Sequence, residues 1–411
     1  MDKMTTQPQS YSIKSASAMR SPKIAIACSG LGHISRGVET WAADLALALH
    51  RRGADVTLFQ GGGHASAPWQ KVIPCAQRFT PEARRLTKRF EKVGGWRFGM
   101  GKEYKVEQTT FGWNLWPHVR RDFDIIHTQD SLIGLMMERL NRLGLSRPRV
   151  ILANGTEEPV RILGKYAYIQ HLAPCYHDDY EPQRPARQTT FAIGNFVNTD
   201  VFKPGDRAAA RAEWGLPQDR PIVLCVAAIK KHHKRIDYLI REFAAFLSDS
   251  KRPATLVIAG GAEEDTAELI ALGRDLLGDN VIFREGLQRE RMPGLYRTAD
   301  VFALASLTEM MPIAVLEAIA TGLPVICSDT PTFEWMAGPA GLRADLSVEG
   351  AMAAQLARIS DEVERERLAR AARAHAEACF SEPVIMEQVL EMYAAVLGAA
   401  HPSFVRGNSA S

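Results

Sequence analysis

The chain has no apolar run near the roughly eighteen residues that a membrane-crossing helix requires, which excludes a helical span. Its opening, MDKMTTQPQSYSIKSASAMR, lacks the apolar core of a signal peptide. Residues 1–21 and 402–411 read as disordered tails. Cysteine is sparse: six, at 28, 75, 175, 225, 327 and 379, none at metal-ligand spacing. No metal and no cofactor is therefore expected. Cys28, Cys225 and Cys327 fall in or beside apolar runs, where a free thiol behaves as a small hydrophobe, and a reducing cytoplasm is the simplest compartment. Charge of one sign is also lacking. A net charge of +3 is too small for a nucleic-acid partner. What remains, 46% hydrophobic and 24% charged residues in 411, is the composition of a globular protein of two or three domains.

Short apolar runs alternate with helical patterns, which reads as α/β with parallel sheets. Strands are expected at 23–28, 55–59, 124–127, 149–154 and 191–195, then at 222–228, 255–261, 281–286, 301–305 and 324–328. The first strand runs into Ser29-Gly30-Leu31-Gly32-His33, and Gly30-x-Gly32-x-x-Ser35 nearly meets a dinucleotide fingerprint. The second strand ends in Gln60-Gly61-Gly62-Gly63 instead of the acidic residue an adenosine ribose requires, which argues against an oxidoreductase.

The densest signal is LASLTEMMPIAVLEAIATGLPVICSD, residues 304–329. After a strand, a short loop carries Glu309, and Pro312 stands where a helix starts. The helix, 313–321, stops at Gly322. Almost every side chain in it is apolar, so it is buried, and Glu317 is the exception. A carboxylate there is costly without partners. The N–H groups at the helix start favour an anion by roughly 0.3–2 kcal/mol. Two carboxylates beside a phosphate-binding helix tip suit a nucleotide-sugar, which brings a pyrophosphate, a ribose diol and sugar hydroxyls. A second charged edge, Ile229-Lys230-Lys231-His232-His233-Lys234-Arg235, follows the strand at 222–228.

The Glu309–Glu317 spacing, with its alanine-rich helix and Gly322-Leu323-Pro324-Val325-Ile326, resembles the retaining GT-B glycosyltransferases of family four, the group 1 glycosyltransferases. Also similar are Gly37-x-Glu39, the run Asp124-Ile125-Ile126-His127, the segment 198–204 (NTDVFKP), Lys234-Arg235-Ile236-Asp237 and the stretch 290–306. The resemblance implies two Rossmann-like domains facing across a cleft, at 22–198 (acceptor) and 199–378 (nucleotide-sugar), and a helix at 379–401 crossing back. It implies that Glu317 holds the ribose and Glu309 the transferred sugar. Backbone at Met310, Met311, Pro312 and Ile313 lies near sugar and phosphate. Lys234 and Arg235 grip the diphosphate, with Lys230 in place of the family's arginine. His127 touches the sugar, and Gly32 faces the donor across the cleft. Met310-Met311-Pro312 stands where the family has Gly-Phe-Gly.

The implied activity is that of a retaining hexosyltransferase. It moves a sugar from a UDP- or GDP-sugar to a hydroxyl of a carbohydrate or lipid-linked acceptor, in glycan, glycolipid or cell-surface polysaccharide synthesis. A non-catalytic nucleotide-sugar- or partner-binding module and a GT-B epimerase or phosphorylase are the alternatives. The stretch 78–105 holds nine Lys/Arg interleaved with Phe79, Phe90, Trp96, Phe98 and Tyr104. It reads as a solvated helix with an acceptor-side loop, or as a contact with the inner face of the membrane.

Overall fold

The computed structural model describes residues 21–34, 36–92 and 94–398, so Ser35 and the expected tails, apart from Ser21, lie outside the described residues. Among the described residues thirteen strands form two sheets, parallel throughout. The first comprises β1 (Lys23–Cys28), β2 (Asp55–Gln60), β3 (Gln70–Val72), β4 (Ile125–Thr128), β5 (Arg149–Asn154), β6 (Tyr168–His171) and β7 (Thr189–Ala192), in the order β3-β2-β1-β4-β5-β6-β7. The second comprises β8 (Ile222–Val226), β9 (Thr255–Gly260), β10 (Val281–Glu285), β11 (Val301–Ala303), β12 (Val325–Ser328) and β13 (Gly341–Ala344), in the order β10-β9-β8-β11-β12-β13. Ten of these match runs expected from the sequence. β3, β6 and β13 are short and mixed, and offer no apolar run to read.

Both sheets reverse strand order once, between β1 and β4 and between β8 and β11. At such a switch point the loops leaving the strands' carboxyl ends part and leave a crevice. The segments leaving β1 and β4 are 29–36 and 129–130; those leaving β8 and β11 are 227–235 and 304–312. Every candidate site residue except Glu317 and Ile313 lies in these segments or at the end of one of these strands, and those two lie on the helix that the last segment feeds.

The chain passes between the sheets twice, and the passes lie side by side. Val197 N–H donates to Phe380 O at 2.9 Å and Glu382 N–H to Val197 O at 3.1 Å. The helix Glu382–Leu397 then returns onto the first sheet's helix Gly37–Arg51. Arg52 Nη1 meets Glu382 Oε1 at 2.5 Å, and Tyr393 is fully buried. One apolar cluster runs from Trp41 and Ile24 through Phe196, Met311 and Phe380 to Met386 and Tyr393, joining the two halves. Among the described residues no helix is long and apolar enough to cross a membrane.

Candidate active site in the inter-domain cleft

β11 delivers the chain to the loop 304–312 and the helix Ile313–Ala320. Pro312 is the residue before the helix, in extended conformation (φ −72°, ψ 113°), and the helix starts at Ile313 as expected. Val315, Leu316, Ala318 and Ile319 are fully buried, which fixes the helix against the sheet. Gly322, at φ +81°, ends it. Glu317 is only 6% exposed. Tyr296 Oη donates to its Oε2 at 2.8 Å, and Arg289 Nη1 lies 3.9 Å from Oε1. Burial pushes the Glu317 carboxyl up to about 7, with Arg289 and Tyr296 opposing and Asp44 adding to the rise. The protein itself thus supplies part of what a sugar diol was expected to supply. Arg289 also donates through Nη2 to Asp44 Oδ2 at 2.5 Å, which links Glu317 to the first domain's helix Gly37–Arg51.

At the switch point, Lys234 Nζ is paired with Glu309 Oε1, and His233 Nδ1 lies 3.8 Å from the same oxygen. Burial holds His233 below the usual imidazole range; Lys234, Lys230 and His232 reinforce this and Glu309 opposes it. Two residues of this loop have left-handed backbone, His233 (φ +71°) and Arg235 (φ +49°). Such positions cost about 1–3 kcal/mol each and persist only where the surroundings fix them. Here Thr266 Oγ1 donates to Ile229 O at 2.8 Å, and Asp265 Oδ2 accepts from Lys231 N–H at 2.8 Å. Lys230 is half-buried beside them. Arg235 departs from its expected role. Its guanidinium donates to Leu346 O at 2.6 Å and Ala305 O at 3.3 Å and stacks on Tyr238, 4.0 Å from the ring centre, so it braces the loop.

Met310 and Ile313 are half-buried at the mouth of the loop, consistent with exposed backbone there. Met311 is different. Its sulfur accepts from Asn195 N–H at 2.9 Å, and its carbonyl from Asn195 Nδ2 at 3.4 Å. Gly194 is needed opposite it, because a Cβ there would lie 2.8 Å from Met311 Cε and 2.8 Å from Trp335 Cη2. The Met311 side chain is therefore an inter-domain plug. From the same side Tyr176 Oη donates to Glu309 O at 2.7 Å and accepts from Thr332 Oγ1 at 2.9 Å.

In the first domain Gly32 is exposed at φ +97°, and a Cβ there would meet Gly62 O at 2.1 Å. The glycine is thus required by packing on the 61–63 loop, while the turn itself faces outward. Beneath it lies a buried ionic network. Arg78 donates to Glu107 Oε1 through Nε at 3.0 Å, Glu39 Oε1 lies 4.0 Å from Arg78 Nη2, and Asp130 Oδ2 accepts from Ser29 N–H at 2.6 Å. Burial raises Asp130 to about 6. Arg78 is accordingly no surface cation, and half-buried Phe90 packs against a small satellite core. His127 is corrected most. It is fully buried, Nδ1 bonds Tyr393 Oη at 2.8 Å, and Trp41 packs edge-on against it at 5.1 Å. Burial lowers it to about 3, so it stays neutral under the returning helix and does not reach the cleft. Glu334, on the helix after β12, points outward to Arg343 at 3.1 Å.

The family profile described as glycosyl transferases group 1 matches residues 206–378. Residues 206–378 belong to the group 1 glycosyl transferases. The group 1 domain thus begins at the helix before β8 and ends within the helix Glu362–Cys379. A D-inositol 3-phosphate glycosyltransferase of Nocardia farcinica is 35% identical over 210 residues, 49% of this chain and 46% of that protein. The chain spans 30–46% of the length of the first of the curated relatives it matches. The fold as a whole is GT-B. Sucrose-phosphate synthase from Thermosynechococcus elongatus superposes over 92% of this chain and 100% of that one, at TM-score 0.72 and 21% identity. Anabaena HepE, in complex with UDP and glucose, covers 91% and 100% at TM-score 0.66 and 15% identity.

Tyr296, Arg289, Asp44 and Tyr176 were not anticipated as site residues. Tyr296 lies within the resembling stretch 290–306 and could have been found there. The other three are brought in by the apposition of the domains, which leaves no local trace in the sequence.

Proposed function

We propose that the protein is a glycosyltransferase that takes its sugar from a nucleotide-sugar bound on the group 1 domain. The observation that carries this is the buried Glu317 carboxylate, raised by burial, one helical turn inside a helix whose start lies beside the Lys234–Glu309 pair. In this reading the ribose hydroxyls take the place of Arg289 at Glu317. The diphosphate sits between Lys234, Lys230 and the N–H groups at the start of the Ile313–Ala320 helix, and the sugar's hydroxyls donate to Glu309. The acceptor oxygen bonds the anomeric carbon while the bond to the diphosphate breaks. Lys234 stabilises the charge that grows there. The leaving phosphate oxygen takes the acceptor's proton on the same face, which gives retention. HepE's complex with UDP and glucose supports a UDP-sugar as the first donor to try.

A thermal-shift panel of UDP-, GDP- and ADP-sugars tests this. One base class is expected to raise the melting temperature, with release of the nucleoside diphosphate once a hydroxylated acceptor is added. No shift with any of them contradicts the reading. The Met310-Met311-Pro312 replacement favours a second reading, a non-catalytic binding module, whose signature is a shift without release from any acceptor extract.

For the acceptor side we infer peripheral contact with an anionic membrane surface, placing the protein at the cytoplasmic face. The helix Pro81–Glu91 buries only Ala83 and exposes Arg84, Arg85, Lys88 and Arg89, and Phe79 and Phe98 stand 62% and 74% exposed beside it. Each basic residue near such a surface contributes about 1 kcal/mol. Co-sedimentation with phosphatidylserine vesicles that survives reversal of Lys88, Arg89 and Lys92 to glutamate rules this patch out.

A further inference from the structure

A cavity of about 450 Å³ opens in the group 1 domain on the side away from the cleft, lined by Pro204 and Gly205, the turn at 321–323 and the helix Glu362–Cys379. Ala299 and Leu323, just before β11 and β12, place it at the sheet's amino end, opposite Glu309. Four guanidiniums line it, those of Arg207, Arg297, Arg370 and Arg373, against one lining carboxylate, Glu377.

Their partners leave positive charge over. Arg373 is paired to Glu377 at 2.6 Å. Arg207 and Arg211 share the single carboxylate of Asp300, at 2.8 and 2.5 Å. Arg370 reaches Glu366 only at 3.7 Å, both well exposed. Arg297 meets no carboxylate among the described residues; it donates to the carbonyls of Lys203 at 3.3 Å and Val201 at 3.2 Å. The four lining guanidiniums thus have Glu377 beside them, a share of Asp300 behind them and a distant, exposed Glu366, which leaves net positive charge at the concavity. Three carbonyls are covered by Arg373, which donates to Thr199 O, Phe202 O and Ala320 O at 3.1, 2.9 and 2.6 Å.

We propose that this cavity binds a small, multiply charged oxyanion of the phosphoryl class. Planar guanidinium forks match such oxygens two at a time, and an anion held by several of them stays bound against solvent where a lone surface pair does not. The anion would rest on the segment 199–205, which joins the two domains, and on the end of the helix that carries Glu317.

Pyrophosphate and inorganic phosphate, titrated calorimetrically into the full chain, test the site. Pyrophosphate is expected to bind saturably and more tightly than phosphate, and binding weakens as salt rises because the pocket is open. Arg370→Glu, exposed and safe for folding, is expected to weaken pyrophosphate by about tenfold or more, the loss of one charge-assisted contact. Arg297→Gln combined with Arg370→Gln abolishes it, with the melting curve checked alongside. Lys234→Met, which disables the donor edge, leaves it in place. Isotherms unchanged in both arginine variants overturn the proposal, as does binding lost in Lys234→Met alone, which would put the pyrophosphate in the cleft.

Discussion

Glu317 is the residue on which most turns, and its environment makes three predictions. Its carboxyl is raised from 4.5 to about 7, so the folded protein holds this proton more firmly than the unfolded chain. That contribution to stability is complete below about pH 4.5 and is lost as pH rises through about 7, amounting to about 3 kcal/mol. Glu317→Gln removes the ionisation and is expected to melt at or above the wild-type temperature at pH 8, by calorimetry. Because a ribose diol donates to the ionised form, donor affinity is expected to rise between pH 6 and 8 in the wild type and stay flat in the glutamine variant. At the phosphate edge, Lys234→Met is expected to lower turnover about a hundredfold or more with the fold kept, measured as nucleotide release. His127→Ala is expected to act the other way. It empties a packed, hydrogen-bonded position at a cost of about 2–4 kcal/mol in urea unfolding, while activity per folded molecule persists. The burial of Glu317 in an apolar helix and the place of Lys234 in the loop after β8 were legible from residue type and spacing. His127 and Arg235 were misread because a sequence does not tell which way a side chain turns, and both turn inward.

At the scale of elements, the buried strands could be read wherever even a short apolar run stood between polar or glycine bounds, as in DIIH at 124–127 and VIF at 281–283. The helix Ile313–Ala320 was placed to within a residue, since Pro312 and Gly322 bracket it. The loop 227–235 could be located but not shaped. Its left-handed turns at His233 and Arg235 are imposed by Asp265, Thr266, Ala305 and Leu346, all distant in sequence. The contact of Gly194 with Met311 and Trp335 was equally hidden, and it makes its own prediction. Gly194→Leu wedges the plug out at about 1–3 kcal/mol. The expected result is a larger radius of gyration in small-angle scattering and a raised KM for the donor. An unchanged radius with unchanged KM means that Met311 does not set the domain angle.

Over the whole molecule, two domains of like topology are joined by a double crossing at Val197 and Ser381 and by one shared apolar cluster. The cleft this creates brings Asp44, Tyr176 and Asn195 from one side to Arg289, Glu309 and Met311 on the other. The two-domain plan could be foreseen from the repeated β-α pattern, whereas the cross-cleft pairs could not, because they join residues more than a hundred positions apart. The central claim is that Glu317 holds the donor's ribose at this cleft. Calorimetric titration of the donor selected by the thermal-shift panel into wild type and Glu317→Ala, both shown folded by their melting curves, tests it most directly. The account predicts that the variant loses donor affinity by about a hundredfold or more, the loss of two hydroxyl-to-carboxylate bonds. Affinity retained within a few-fold in a folded Glu317→Ala would contradict it.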